Sequence, residues 1–154
     1  MLIPPFKFSW INADICRSCT PHEHNILFLS TLGLKSILSI DSNPLDLTVD
    51  IPTFHSQFSI SKMDALLNLI AKLEKPLLIT CKDGRDVSLV QMVLRKLDNW
   101  ALDCIFAESN RFVTEWEPES IDYIKSFKLV KSLPVQPEKI TQISRTLDAL
   151  DLHL

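Results

Sequence analysis

The sequence predicts an α/β domain in which a central, mostly parallel sheet is flanked by helices. The short apolar run at residues 77–79 is typical of a strand buried on both faces. Apolar residues at helical spacing precede this strand at residues 61–74 and follow it at residues 88–97. Helices that alternate with short strands favour sequential crossovers and therefore a parallel sheet.

The composition indicates one globular domain with a real hydrophobic core. The chain has 154 residues, of which 46% are hydrophobic and 23% charged. Its formal net charge of −3 argues against nucleic acid or an anionic membrane as the main partner. No apolar run has transmembrane length, and the first residues lack a signal-peptide layout. Cysteines at positions 16, 19, 81 and 104 suggest no disulfide framework, so we expect a reduced, cytoplasmic protein.

The N-terminal part is predicted to form an edge strand and then a buried segment. Two prolines keep residues 3–10 extended, and aromatic residues alternate there with polar ones. In the segment that follows, Cys16 is expected in the core and Cys19 in a turn. These two cysteines also form a C-x-x-C pair, but no second pair completes a metal site, so no metal is expected. Arg17 is either part of a buried salt bridge or solvated.

The middle of the chain is predicted to supply two more strands and two helices. A helix over residues 23–32, with Leu27 among the apolar residues on its inner side, ends at Gly33, and strands follow at residues 35–41 and 53–58. Ser61 and Asp64 resemble a capping box at the start of the helix over residues 61–74. Its wide apolar stripe is expected to be core.

The stretch after the buried strand is the candidate site. Cys81 ends the strand, Gly84 permits a tight turn, and Ser88 is expected to cap the next helix. Such a loop directs several backbone N–H groups and the positive end of a helix dipole at one spot, which suits an anion. A cysteine that faces this spot would have its thiolate favoured. The predicted anion-binding loop consists of Lys82, Asp83, Gly84, Arg85, Asp86, Val87 and Ser88.

This stretch resembles the signature His-Cys-x-x-Gly-x-x-Arg-[Ser/Thr]-Gly of the fungal and plant atypical dual-specificity phosphatases, within the cysteine-dependent protein tyrosine phosphatase superfamily. The positions that match are Cys81, Gly84 and Ser88, while Thr80, Val87 and Leu89 stand at the histidine, arginine and final glycine positions. The resemblance extends over about residues 2–127. Its most specific part is Leu-Arg-Lys-x-x-x-Trp at residues 94–100 and Ile-Phe-x-Glu-x-x-Arg-Phe at residues 105–112.

The resemblance implies a cysteine-dependent (dual-specificity) phosphatase fold for residues 1–127. Trp100 is expected to anchor the core, and Phe106 and Phe112 to pack inward. A general acid needs a carboxyl group over the leaving oxygen, but the family match is poor at residues 42–59. Asp41, Asp46 and Asp50 are candidates by residue type only, and none can be assigned.

The resemblance also bears on activity. The family arginine holds two phosphoryl oxygens as a planar fork, and Val87 offers no such donor. Arg85 stands two residues early and is expected to face outward. We therefore interpret the chain as a catalytically inactive phosphatase-like protein with Cys81 as a vestigial nucleophile and no cofactor. The alternative is an active phosphatase on phosphotyrosine or inositol pyrophosphates, with Arg85 turned inward.

An inactive chain would work as a binding or scaffold subunit. Related phosphatase-like proteins are the expected partners. The loop either keeps a weak phosphate or inositol pyrophosphate ligand or is kept only for packing. The fungal branch of the family implies a setting in oxidant-induced cell-cycle arrest.

Residues 128–154 are predicted to form a linker and an amphipathic C-terminal helix. Two prolines bracket the linker, and apolar residues then recur at intervals of three and four. This stripe, called the tail stripe below, consists of Ile140, Ile143, Leu147 and Leu150. It either folds back on its own domain or lies in a groove of a partner.

Overall fold

The structure is a computed structural model that describes residues 1–128. The strands are β1 (Ser9–Trp10), β2 (Ile15–Cys19), β3 (Ser36–Ser39), β4 (Thr53–His55) and β5 (Leu77–Cys81). The helices are α1 (Ile26–Ser30), α2 (Met63–Lys72), α3 (Arg85–Leu97), α4 (Leu102–Ser109) and α5 (Pro118–Ser126). The predicted C-terminal helix lies outside the described residues.

The five strands form one sheet in the order β1-β2-β5-β3-β4. Among the strands of residues 1–128, only β1 runs antiparallel to its neighbour, whereas β2, β5, β3 and β4 pair in parallel. The predicted α/β fold with a mostly parallel sheet is therefore confirmed. In the register of β2 with β5, Cys19 lies opposite Cys81, so these side chains share a face of the sheet.

Helices cover both faces of this sheet. Residues that alternate along β5 divide between two apolar clusters: Leu77, Ile79 and Cys81 pack with helices α2 to α5, and Leu78 packs on the side of α1. Both faces are covered because a parallel strand such as β5 carries apolar residues at every position. The carboxyl ends of β2, β5 and β3 meet at one edge of the sheet because these strands are parallel. The candidate site lies at this edge.

The N-terminal edge strand is shorter than predicted. It comprises Ser9 and Trp10 only, and a turn at Phe6 and Lys7 takes the place of its first part. Lys7 has a φ of 53°, and Phe6 is 74% exposed. A left-handed residue breaks the regular pleat, so the alternation of aromatic residues did not extend the strand.

Four local predictions are wrong. Cys19 is the buried last residue of β2 and does not lie in a turn. Ser61 and Asp64 form no capping box, since α2 begins at Met63 without a side-chain cap. Leu27 is 59% exposed although it was expected on the inner side of its helix. Trp100 is 41% exposed and stacks on the Arg95 guanidinium, 4.0 Å from the ring centroid.

Phe106 and Phe112 are partly buried, as expected of residues that pack inward. Among residues 1–128, no helix combines the length and the apolar character that crossing a membrane requires.

Candidate active site

Strand β5, a three-residue loop and helix α3 build the site. Cys81 is the last residue of β5 and is 1% exposed. Gly84 has a φ of 83° and is the N-cap of α3, which begins at Arg85. The prediction that Ser88 caps this helix is wrong, because Ser88 lies one turn inside it. Its hydroxyl donates a hydrogen bond to the carbonyl oxygen of Gly84 at 2.7 Å.

Cys81 has the position of the family nucleophile, but its surroundings favour the protonated thiol. The Val87 N–H donates a hydrogen bond to Cys81 Sγ at a distance of 3.4 Å. A backbone N–H directed at the cysteine is what the strand–loop–helix arrangement predicted. Burial nevertheless raises the pKa of Cys81 to about 11; the N–H donors of Val87 and Gly84 lower it in part, and Asp86 and Asp83 add to the rise. The predicted stabilisation of the thiolate is therefore outweighed by the loss of contact with water.

No guanidinium reaches the loop from the arginine position of the signature. Val87 is fully buried and belongs to the apolar cluster formed with helices α2 to α5. Arg85 faces away from the loop: its Nη1 donates to the carbonyl oxygen of Glu115 at 3.0 Å, and its guanidinium lies 5.7 Å from the centroid of Trp116. The outward orientation predicted for Arg85 is thus the one observed.

Carboxylates of the chain itself accept hydrogen bonds from the loop. The N–H of Lys82 donates to Asp41 Oδ1 at 2.7 Å, and the N–H of Arg85 donates to Asp83 Oδ1 at 2.9 Å. Asp86, in the first turn of α3, is half-buried. Its pKa is raised, mainly by burial and then by the nearby charges of Asp83 and Asp41. The positive backbone dipoles of the loop therefore face several negative side chains.

The sequence did not reveal that Arg17 supports the loop from the interior of the domain. Its side chain is fully buried, and its Nη1 donates to Ser88 Oγ at 2.6 Å and to Gln91 Oε1 at 3.0 Å. Its Nη2 donates to the carbonyl oxygen of Gly84 at 3.1 Å, and the guanidinium lies 4.0 Å from the ring centroid of Phe112. No carboxylate within the described residues forms a salt bridge with Arg17, so both interpretations offered for it, a buried ion pair and a solvated side chain, are wrong.

Lys7, near the N-terminus, also contacts the loop. Its Nζ donates to the carbonyl oxygen of Asp83 at 3.0 Å, and its Cδ lies 3.0 Å from where a β-carbon on Gly84 would stand. The left-handed turn at Lys7 brings this side chain to the loop. Nothing in the sequence indicated the contact, because it joins residues 76 positions apart.

A cavity of about 920 Å³ opens beside the loop and decides between the candidates for a general acid. It is lined by Asp41, Asp46 and Lys82, together with His22 and His24. Asp50 instead lines a separate cavity on the side of α1. Of the three carboxylates considered, Asp41 and Asp46 line the cavity beside the loop and Asp50 does not.

The structure offers no site for a metal ion in the part of the chain that it describes, residues 1–128. Cys16 and Cys19 lie three positions apart on β2, so their side chains point to opposite faces of the sheet. Both are free thiols. The C-x-x-C spacing therefore does not bring the two sulfurs together.

Comparisons with known proteins show what this sequence and this fold are similar to. A family model described as "Tyrosine phosphatase family" matches residues 55–145. The chain is similar to the inositol diphosphatase DSP5 of Arabidopsis thaliana, with 29% identity over 153 residues that cover 85% of this chain and 74% of that protein. It is also similar to the putative tyrosine-protein phosphatase OCA1 of Mycosarcoma maydis, with 32% identity over 132 residues that cover 73% and 84%.

Among solved structures, the fold is similar to the core catalytic domain of the PP-IP phosphatase SIW14 from S. cerevisiae. The TM-score is 0.74, and the match covers 96% of both chains at 24% identity. This likeness shows the fold.

Proposed function

Because this chain belongs to the tyrosine phosphatase family, we propose that it is a phosphatase-like protein that has lost turnover and acts by binding. Val87 carries the proposal. A buried valine with its side chain in the core presents no donor to a phosphoryl group, and Arg85 is held on the outer side by Glu115. Loss of one preorganised donor typically costs about 10²–10³ in rate, and loss of a bidentate charged donor costs more.

The state of Cys81 supports the same proposal. A cysteine phosphatase attacks phosphorus with a thiolate, whereas a pKa of about 11 keeps Cys81 protonated at neutral pH. The residue is also 1% exposed, which hinders the in-line approach of a phosphate ester. An effective nucleophile would need both a lower pKa and more access.

An active phosphatase is the second candidate. It is favoured by the hydrogen bond from Val87 N–H to Cys81 Sγ and by relatives such as DSP5, whose name is inositol diphosphatase. Asp41 or Asp46, beside the loop, would then serve as the general acid. The substrate of such an enzyme would be an inositol pyrophosphate or phosphotyrosine.

For the inactive chain we propose a role as a binding subunit. Its fold supports this role, since the packing of a phosphatase domain is intact around a changed loop. The family resemblance supports related phosphatase-like proteins as partners, the cytoplasm as location and the oxidant response as setting. A phosphate or inositol pyrophosphate group remains the ligand proposed for the loop.

Turnover by the purified chain tests the proposal. We expect no release of phosphate from p-nitrophenyl phosphate or from an inositol pyrophosphate beyond that of Cys81→Ser. This variant is a matched control, because replacing one buried sulfur by oxygen changes little else in the site. Phosphate release that disappears in Cys81→Ser, with both proteins folded by circular dichroism, would establish the active enzyme instead.

A further inference from the structure

The carboxylate of Asp41 accepts a hydrogen bond from a backbone N–H of the loop. Asp41 follows β3, at the sheet edge where β5 leads into the loop, and its Oδ1 accepts the N–H of Lys82 at 2.7 Å. Its Oδ2 accepts the hydroxyl of Thr20, which follows β2, at 3.1 Å. The carbonyl oxygen of Asp41 also accepts a hydrogen bond from His55 Nε2 at 2.7 Å. Thr20 and Lys82 therefore hold the carboxylate on the loop, and His55 of β4 holds the backbone of Asp41.

The donor that Asp41 occupies is the first backbone N–H after Cys81. An oxyanion bound at the loop would need donors of this kind, which a carboxylate matches in charge and in hydrogen-bonding capacity. A tethered carboxylate also has a high effective concentration compared with a free anion. Asp41 is thus a competitor for any oxyanion that enters from the adjoining cavity, which it lines together with Lys82.

We propose that Asp41 is an internal ligand of the loop, so that the loop binds an oxyanion only when this carboxylate is displaced. The inference deepens the binding role proposed above and rests on it in treating the loop as the binding surface. The ligand class is a phosphate or sulfate oxyanion. Asp41 is then the residue that determines whether the loop accepts it.

Two kinds of variant distinguish between two effects of Asp41 on an oxyanion. One effect is occupation of the Lys82 N–H, and the other is general charge repulsion. Asp41→Ala removes the competing carboxylate and one negative charge, whereas Asp46→Ala removes an equal charge from the same cavity without touching a loop N–H. Thr20→Val leaves every charge in place and removes the hydroxyl that holds Asp41 Oδ2. Charge alone predicts no effect of Thr20→Val, while release of Asp41 predicts a gain.

The experiment is a titration of the full chain with sodium sulfate and with inorganic phosphate, at constant ionic strength. Binding is followed by the amide resonance of Lys82 and by calorimetry. We expect affinity to rise at least tenfold in Asp41→Ala, about two- to fivefold in Thr20→Val, and less than twofold in Asp46→Ala.

Equal gains in Asp41→Ala and Asp46→Ala, no gain in Thr20→Val, or no shift of the Lys82 resonance in any variant would each overturn the inference. Thr20→Val keeps the test decisive if Asp41→Ala does not fold. Turnover is measured separately on the same samples. Hydrolysis would contradict the proposed function without changing the comparison of affinities.

Discussion

At the scale of single residues, the surroundings of Cys81 can be tested by its reactivity. Its pKa of about 11, raised mainly by burial, lies above the ordinary cysteine value of about 8.5. The thiolate fraction at pH 7.5 is therefore about 10²–10³ times smaller than that of a free cysteine. The Cys81 thiol therefore stays protonated until the pH approaches its raised pKa.

We predict that alkylation of Cys81 by iodoacetamide is slow at pH 7.5 and still accelerates between pH 8 and pH 10, by about tenfold per unit. Mass spectrometry of the separated peptides gives the rate at each cysteine. Cys104, which is exposed, provides the reference for an accessible thiol in the same sample. A rate at Cys81 that levels off below pH 8 would show an activated thiolate and contradict this prediction.

The sequence was sufficient for Cys81 but not for the residues around it. Cys81 could be placed because an apolar run before it and a glycine three residues later define a strand and a turn by local rules alone. The partners of Arg17 lie 71 and 74 residues away, and Lys82 lies 41 residues from Asp41. Contacts over such distances depend on strand order and register, which no local pattern encodes.

At the scale of elements, Gly84 is needed at the start of α3 both for its backbone conformation and for its lack of a side chain. Gly33 serves as the reference, because it shares the conformation but has free space around it. Both glycines have positive φ angles, 83° and 65° respectively. A β-carbon on Gly33 would meet no atom within 4 Å, whereas one on Gly84 would lie 3.1 Å from Arg17 Nη2 and 3.3 Å from Cys19 Sγ. Hydrogen bonds fix the Arg17 guanidinium, so it cannot withdraw freely.

We predict that Gly33→Ala lowers the free energy of unfolding by about 1–2 kcal/mol, the cost of a left-handed alanine. Gly84→Ala should pay this cost and about 1–3 kcal/mol more for the close contacts. Urea unfolding of the two variants measures the difference. Equal losses would mean that the loop yields to the new methyl group and that Arg17 does not hold it rigidly.

The elements themselves show what sequence patterns can predict. Helix α3 was recognisable from its apolar spacing, but its N-cap was placed at Ser88, four residues after the observed N-cap Gly84. Serine is a frequent N-cap, and the pattern could not show that the Ser88 hydroxyl is engaged by Gly84 and Arg17 inside the helix. Trp100 was assigned to the core from the family resemblance, yet the flat guanidinium of Arg95 offers it a partner at the surface.

At the scale of the whole molecule, the prediction concerns the tail stripe, outside the described residues. We propose that the stripe packs on the phosphatase domain of its own chain. Ile143→Asp with Leu147→Asp should then lower the melting temperature of the full chain, since buried carboxylates without partners cost several kcal/mol. Differential scanning calorimetry measures the shift.

The matched control for this prediction is Thr141→Asp with Gln142→Asp. It adds the same charge to the same segment, on the polar side of the predicted helix. Only the stripe variant should lose stability. If both variants melt like the wild-type protein and the stripe variant no longer co-purifies with a partner, the stripe is an interaction surface and the proposal of internal packing is wrong.

The contacts of Arg17 also bear on how such a protein can evolve. Arg17 holds the loop through the Gly84 carbonyl, Ser88 and Gln91, and none of these contacts involves the side chain at position 87. The shape of the loop and the chemistry at position 87 are therefore set by different residues. A change of side chain at position 87 therefore leaves the hydrogen bonds from Arg17 to the loop in place. Selection is then free to act on what the loop binds.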